Sequence, residues 1–101
     1  MKLKIDTTRS DKIIICVGDK KFESPSREKS SQKLLPLINS KIKSEGKTFS
    51  DIEEIEVETG PGSFTGIRVG VSVAQALGWA LKVPVNGKDL TKGDIIEIIY
   101  E

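Results

Sequence analysis

Two carboxylates in this chain sit where catalytic carboxylates of a two-metal nuclease could sit. Asp6 closes the alternating run KLKID, and Glu58 lies near the end of IEEIEVET. On the ends of neighbouring strands such a pair could hold divalent metal for hydrolysis of a phosphodiester. A third carboxylate in the required helical position is missing, since Glu28 comes too early and Glu45 too late, and Asp6 also fits a plain turn cap. The chain has no histidine, which removes the side chain used by most zinc sites and most neutral-pH acid–base catalysts. Cys16 is the single cysteine and lies in the apolar run IIICV, so an internal disulfide and a multi-cysteine metal site are excluded. A buried packing role is expected for it.

The turn GPGSFTG is the second place where chemistry could sit, because it follows a strand and opens a helix, where free backbone N–H groups can face a phosphate. Both common nucleotide motifs fail on it. A Walker loop needs Gly-Lys-Ser/Thr where Gly66-Ile67-Arg68 stands, and a dinucleotide fingerprint needs a small residue where Thr65 stands. A conformational role accounts for the residues more simply. Gly60 and Gly62 supply unusual backbone angles around Pro61, and Ser63 or Thr65 caps the helix.

The elements that must position these residues follow from periodicity. KLKID, KIIICV and KKFES, joined by short polar connections, read as an antiparallel three-strand meander. Leu34, Leu35, Ile38 and Ile42 recur at helical spacing, giving helix one over about residues 30–44, bent at Pro36 and stopped at Glu45-Gly46. IEEIEVET is a fourth strand, helix two runs from the glycine turn to about Leu81, and VPVNG reads as a fifth strand bounded by Pro84 and Gly87. A helix between strands four and five implies a parallel crossover, so the sheet is expected to be mixed and five-stranded, with two helices on one face. This is the ribonuclease H-like pattern of each lobe of the actin-like ATPases. The tail KDLTKGDIIEIIYE fits a turn at Gly93-Asp94 and an extra C-terminal strand.

Alternation also assigns the faces. Lys2, Lys4, Asp6, Glu54, Glu56 and Glu58 share the polar phase, while Leu3, Ile5, Ile55 and Val57 share the apolar one, so one sheet face is expected to be wet. Lysine–glutamate pairing across that face would add about 0.2–1 kcal/mol per pair and controls register and solubility. Helix two carries the sharpest pattern. Gly66, Gly70, Ala74 and Gly78 recur at four-residue spacing and form a ridge that lets another backbone approach. Interior glycines cost about 1 kcal/mol each relative to alanine, which close packing must offset. Either helix one of the same chain fills that groove, or a second subunit does. Arg68, Ser72, Gln75 and Lys82 argue against a membrane role for this small-residue spacing.

One domain is the limit for 101 residues, and sixteen basic against fifteen acidic residues leave a net charge of +1. No global positive field is available to draw the chain onto nucleic acid. The N-terminus enters a strand pattern directly, without the charged and apolar leader of an export signal, so a cytoplasmic location is the expectation.

GPGSFTGIR, with an acidic strand before it and the small-residue helix after it, resembles the GPGSFTGLR signature of the TsaB (YeaZ) family. IDTT, SSQKLLPLI and VPVNG resemble, in the same order, that family's first strand and turn, its helix-one pattern HSxxLLPxI and its IPLVG. The likeness covers residues 1–87 of a single truncated actin-like lobe, with residues 88–101 as a divergent tail in place of the second lobe; Ser30 replaces the family's histidine. The resemblance implies a non-catalytic, M22 glycoprotease-like scaffold that forms homodimers, or heterodimers with the catalytic relative TsaD, and works with the ATPase TsaE. The complex transfers a threonylcarbamoyl group to the adenosine beside the tRNA anticodon, with ATP and metal belonging to the partner subunits and tRNA met only through the complex. TsaD itself is set aside as an identity because it holds its metal through paired histidines. The interface expected from ridge and resemblance together comprises Ser31, Leu34, Leu35, Ile38, Phe64, Gly66, Ile67, Gly70, Val71, Ala74 and Gly78; the motif turn comprises Gly60, Pro61, Gly62, Ser63, Thr65 and Arg68. Gly70→Leu is expected to abolish association and spare the fold. The competing readings are the two-metal nuclease using Asp6 and Glu58, a stand-alone homodimeric module, and weak nucleotide binding by Asp6, Thr7 and Thr8, which would lack an opposing lobe.

Overall fold

A computed structural model describes residues 1–25 and 31–89. The expected meander is present as β1 (Lys2–Asp6), β2 (Lys12–Val17) and β3 (Lys20–Pro25), followed by α1 (Ser31–Ser44), β4 (Glu54–Val57) and α2 (Phe64–Leu81). The sheet is mixed, in the order β3-β2-β1-β4, with β1 antiparallel to β2 and parallel to β4. Ser30 and the expected C-terminal strand lie outside the described residues.

Strict alternation sends Leu3 and Ile5 of β1, Ile13, Ile15 and Val17 of β2, and Ile55 and Val57 of β4 to one side, where all are buried. Leu34, Ile38 and Ile42 of α1 and Ile67, Val71 and Ala74 of α2 cover that side and complete the core. Burying each of these larger side chains contributes about 1.5–3 kcal/mol. The helix α1 continues through Pro36, which sits on its exposed side, so the carbonyl that loses its donor is open to water. Gly46 ends it with φ 70°, and the N–H of Lys47 closes back on the carbonyl of Ile42 at 3.1 Å.

The opposite sheet face is open, as alternation predicts. The parallel register sets Lys2 opposite Glu54 and Lys4 opposite Glu56. Lys2 Nζ reaches Glu56 at 2.9 Å, and Lys4 Nζ reaches Glu56 at 3.3 Å and Glu58 at 3.7 Å. Cys16 corrects the expectation of burial. The apolar run IIICV hides its phase: Ile13, Ile15 and Val17 point into the core, whereas Cys16, opposite Lys4 and Lys21, is half-buried on the open face.

VPVNG corrects the expected fifth strand. Only Val85 pairs with Ile55, as a single parallel bridge, before the chain reverses through Asn86 and Gly87. Both carry positive φ, 51° and 76°, the conformation an Asn-Gly hairpin turn requires, and Val85 pairs at once with Lys88. The described sheet therefore has four strands and an edge bridge.

Candidate functional site

The two motifs singled out in the sequence, IDTT and GPGSFTG, fold against each other. Thr7 at the end of β1 is fully buried, and its hydroxyl donates to the carbonyl of Gly66 in the first turn of α2. A Cβ on Gly70 would collide with the Thr7 hydroxyl, so glycine at 70 is required by close approach to β1. The neighbouring Thr8 carbonyl accepts the N–H of Ser63 at 2.8 Å. A Cβ on Gly62 would lie 2.7 Å from the Thr8 backbone oxygen. Gly60 has φ 116° and is joined to Pro61 by a cis peptide bond. Ser63 then caps α2, its hydroxyl accepting from the N–H of Gly66 at 3.3 Å. The motif turn is thus a latch between the first strand and the second helix.

The latch uses the groups that a phosphate turn would need. Asp6 Oδ1 accepts the Thr8 N–H at 2.9 Å and the Thr8 hydroxyl at 2.6 Å, an Asx-type turn. The Thr7 hydroxyl is committed to Gly66. Asp6 acts as the turn cap that the sequence allowed, and Glu58 faces Lys4 across the open sheet side. Among the described residues no three or more histidine, cysteine, aspartate or glutamate side chains gather.

The ridge expectation needs a correction of direction. Gly66, Gly70, Ala74 and Gly78 are buried within the chain, where the small side chains let α2 settle on β1 and β4. Leu34, Ile38, Ile67 and Val71 are buried in the same core. Gly70→Leu would therefore break the fold itself. Of the expected interface residues whose side chains are described (all but Ser31), Leu35 and Phe64 are the ones left open, 40% and 53% exposed; the Phe64 ring lies under the Arg68 guanidinium at 4.7 Å.

The outer side of the helix pair carries a different surface. Leu35 of α1 and Ser72, Val73, Ala76, Leu77 and Ala80 of α2 line an apolar groove between the helices. Ser72, Ala76 and Ala80 form a second small-residue row, also at four-residue spacing, and this one is exposed. Trp79, 61% exposed, stands beside it. Sequence reasoning missed this row because glycine gives the stronger small-residue signal.

A mixed sheet in this order, both helices on one side and a glycine turn latched to the first strand, together define a lobe of the actin-like ATPase type. Residues 24–88 match the family model described as TsaD, tRNA N6-adenosine threonylcarbamoyltransferase, and the chain belongs to that family, in its TsaB (YeaZ) group. It is similar to the tRNA threonylcarbamoyladenosine biosynthesis protein TsaB of Escherichia coli strain K12, 36% identical over 66 residues, which cover 65% of this chain and 28% of the relative. It is also similar to a tRNA N6-adenosine threonylcarbamoyltransferase of Nitrosospira multiformis, 42% identical over 65 residues, 64% of this chain and 19% of that one. Among solved structures, YeaZ from Pseudomonas aeruginosa aligns with TM-score 0.67 and 28% identity over 83% of this chain and 41% of that chain. The chain thus spans less than half the length of each of these relatives.

Proposed function

We propose that this chain serves as a non-catalytic scaffold in tRNA threonylcarbamoyladenosine synthesis, docking on its catalytic relative TsaD through the outer side of α1 and α2. The observation that carries the reading is the open groove lined by Leu35, Val73, Ala76, Leu77 and Ala80, with Trp79 exposed on the same helix. Apolar surface of this kind on a helix pair is suited to a partner helix, because the small row Ser72, Ala76 and Ala80 permits close axial approach. The internal use of the Asp6, Thr7 and Thr8 hydrogen-bonding groups supports a role without nucleotide chemistry of its own. ATP, metal and tRNA then belong to the assembled complex, with TsaE as a further partner. The same groove also favours a second reading, self-association of two copies.

Ala76→Arg tests both readings. It lies on the exposed side of α2, so helical content and melting temperature should stay near the wild-type values. Affinity for purified TsaD, or for a second copy, should fall by at least about tenfold, the equivalent of ~1.4 kcal/mol. Formation of modified adenosine by the reconstituted complex should fall with it. Unchanged association of the folded variant rejects the docking face. Loss of self-association with TsaD binding and modification intact leaves only the homodimer reading.

A further inference from the structure

Among the described residues β4 is the last full strand of the sheet, and the outward backbone groups of Ile55 and Val57 are hydrogen-bonded, those of Val57 by one side chain. Ile55 and Val57 are the two β4 residues whose backbone groups point away from β1. Ile55 is met by backbone alone: its N–H donates to Pro84 O at 2.9 Å, and its carbonyl accepts the Asn86 N–H at 2.8 Å. Val57 is met by the Asn86 carboxamide. Asn86 Oδ1 accepts the Val57 N–H at 2.8 Å, and Asn86 Nδ2 donates to the Val57 carbonyl at 2.9 Å. The amide group stands where the peptide of a continuing strand would stand. Val85, the residue on the bridge, has its own outward N–H and C=O paired with Lys88, both at 2.9 Å. The outward backbone groups of Ile55, Val57 and Val85 are therefore occupied.

Free strand edges are templates for pairing with another chain, and they are commonly guarded by charge, proline or cover. The far edge, β3, is guarded in the ordinary way, by Lys20 and Lys21 and by Pro25 at its end. The two edge strands differ in the sign of their own charge, since β4 carries Glu54 and Glu56, the latter held by Lys2 and Lys4, and β3 carries Lys20 and Lys21 against Glu23. An open β4 edge would meet the β3 edge of the next copy with matching charge, a head-to-tail contact that does not close on itself. We propose that residues 84–88 are an edge lock, in which the Asn86 carboxamide and the Asn86-Gly87 turn deny β4 to a second copy of this chain. The device is independent of the helix groove.

Two variants test it in the Ala76→Arg background, so that association through the helices does not mask the result. Asn86→Val removes the carboxamide and disfavours positive φ at that position, opening both the Val57 and the Val85 groups. Light scattering over a concentration series should then show growth into species larger than a dimer, reversed by salt. Growth absent in the folded variant overturns the proposal. Asn86→Asp keeps the acceptor for Val57 N–H and, while ionised, places a second acceptor against the Val57 carbonyl. Its melting temperature should lie roughly 4–8 °C below that of the parent at pH 7. That gap should narrow towards pH ~4, where a protonated carboxyl can donate again. A gap that stays constant or widens on acidification overturns the role of the carboxamide, and this measurement decides the matter if Asn86→Val does not fold.

Discussion

Thr7 and Gly70 show how much of this fold rests on a single close contact. The Thr7 hydroxyl is buried and donates to the first turn of α2, so Thr7→Val keeps the volume and removes the bond between strand end and helix, while the Gly66 carbonyl keeps its intrahelical donor. A loss of about 0.5–1.5 kcal/mol is expected, read as a lower denaturant midpoint at unchanged m-value. Gly70→Ala adds one methyl against the same hydroxyl and should cost about 1–3 kcal/mol through overpacking. The double variant Thr7→Ser, Gly70→Ala tests the coupling, because removing the threonine methyl gives the strand end room to shift. Its loss should be smaller than the sum of the single losses, measured by a double-mutant cycle. Read along the chain, Gly70 belongs to the small-residue ridge and Thr7 to the IDTT turn, and neither pattern says that the two touch. Their meaning comes from meeting, sixty-odd positions apart.

At the scale of elements, the parallel pair β1 and β4 carries the charged network of the open face. The hydrogen bond from Lys2 to Glu56, followed by that from Lys4, holds the Glu56 carboxyl below its ordinary value of 4.5, and the same contacts raise Lys2 and Lys4 above 10.5. The depressed carboxyl contributes stability that is present above pH 4.5 and is lost as pH falls through its lowered value. The raised amines contribute stability that is present below pH 10.5 and is lost as pH rises through their higher values. Because Glu56 is 37% exposed and screened by water, its share is on the order of 0.2–1 kcal/mol. Glu56→Gln should therefore flatten the acid limb of the melting-temperature profile slightly and leave the fold intact. The alternation of lysine and glutamate made this face legible in advance. Cys16 was not legible, because an unbroken apolar run leaves its phase open until the register with β1 and β3 is known.

For the whole molecule, the sequence by itself determined the meander, both helices and the motif turn, while the expected crossover to a fifth strand survives as the single Ile55–Val85 bridge. Each of these rests on local physics: period-two alternation in the strands, helical spacing of Leu34, Ile38 and Ile42, a Ser63 cap, and Gly46 as a stop. The family likeness was local in the same sense, since GPGSFTGIR is contiguous. Tertiary structure alone decided which small residues are covered from within and which are offered outward. Both rows on α2 have the same spacing, and they differ only in their angle around the helix relative to the sheet. It likewise decided that Asp6 and Thr8 satisfy each other, and that Asn86 closes β4 instead of extending a fifth strand. A spacing fixes which residues share a face, but the direction of that face is set by packing between segments distant in sequence, and no local pattern contains it.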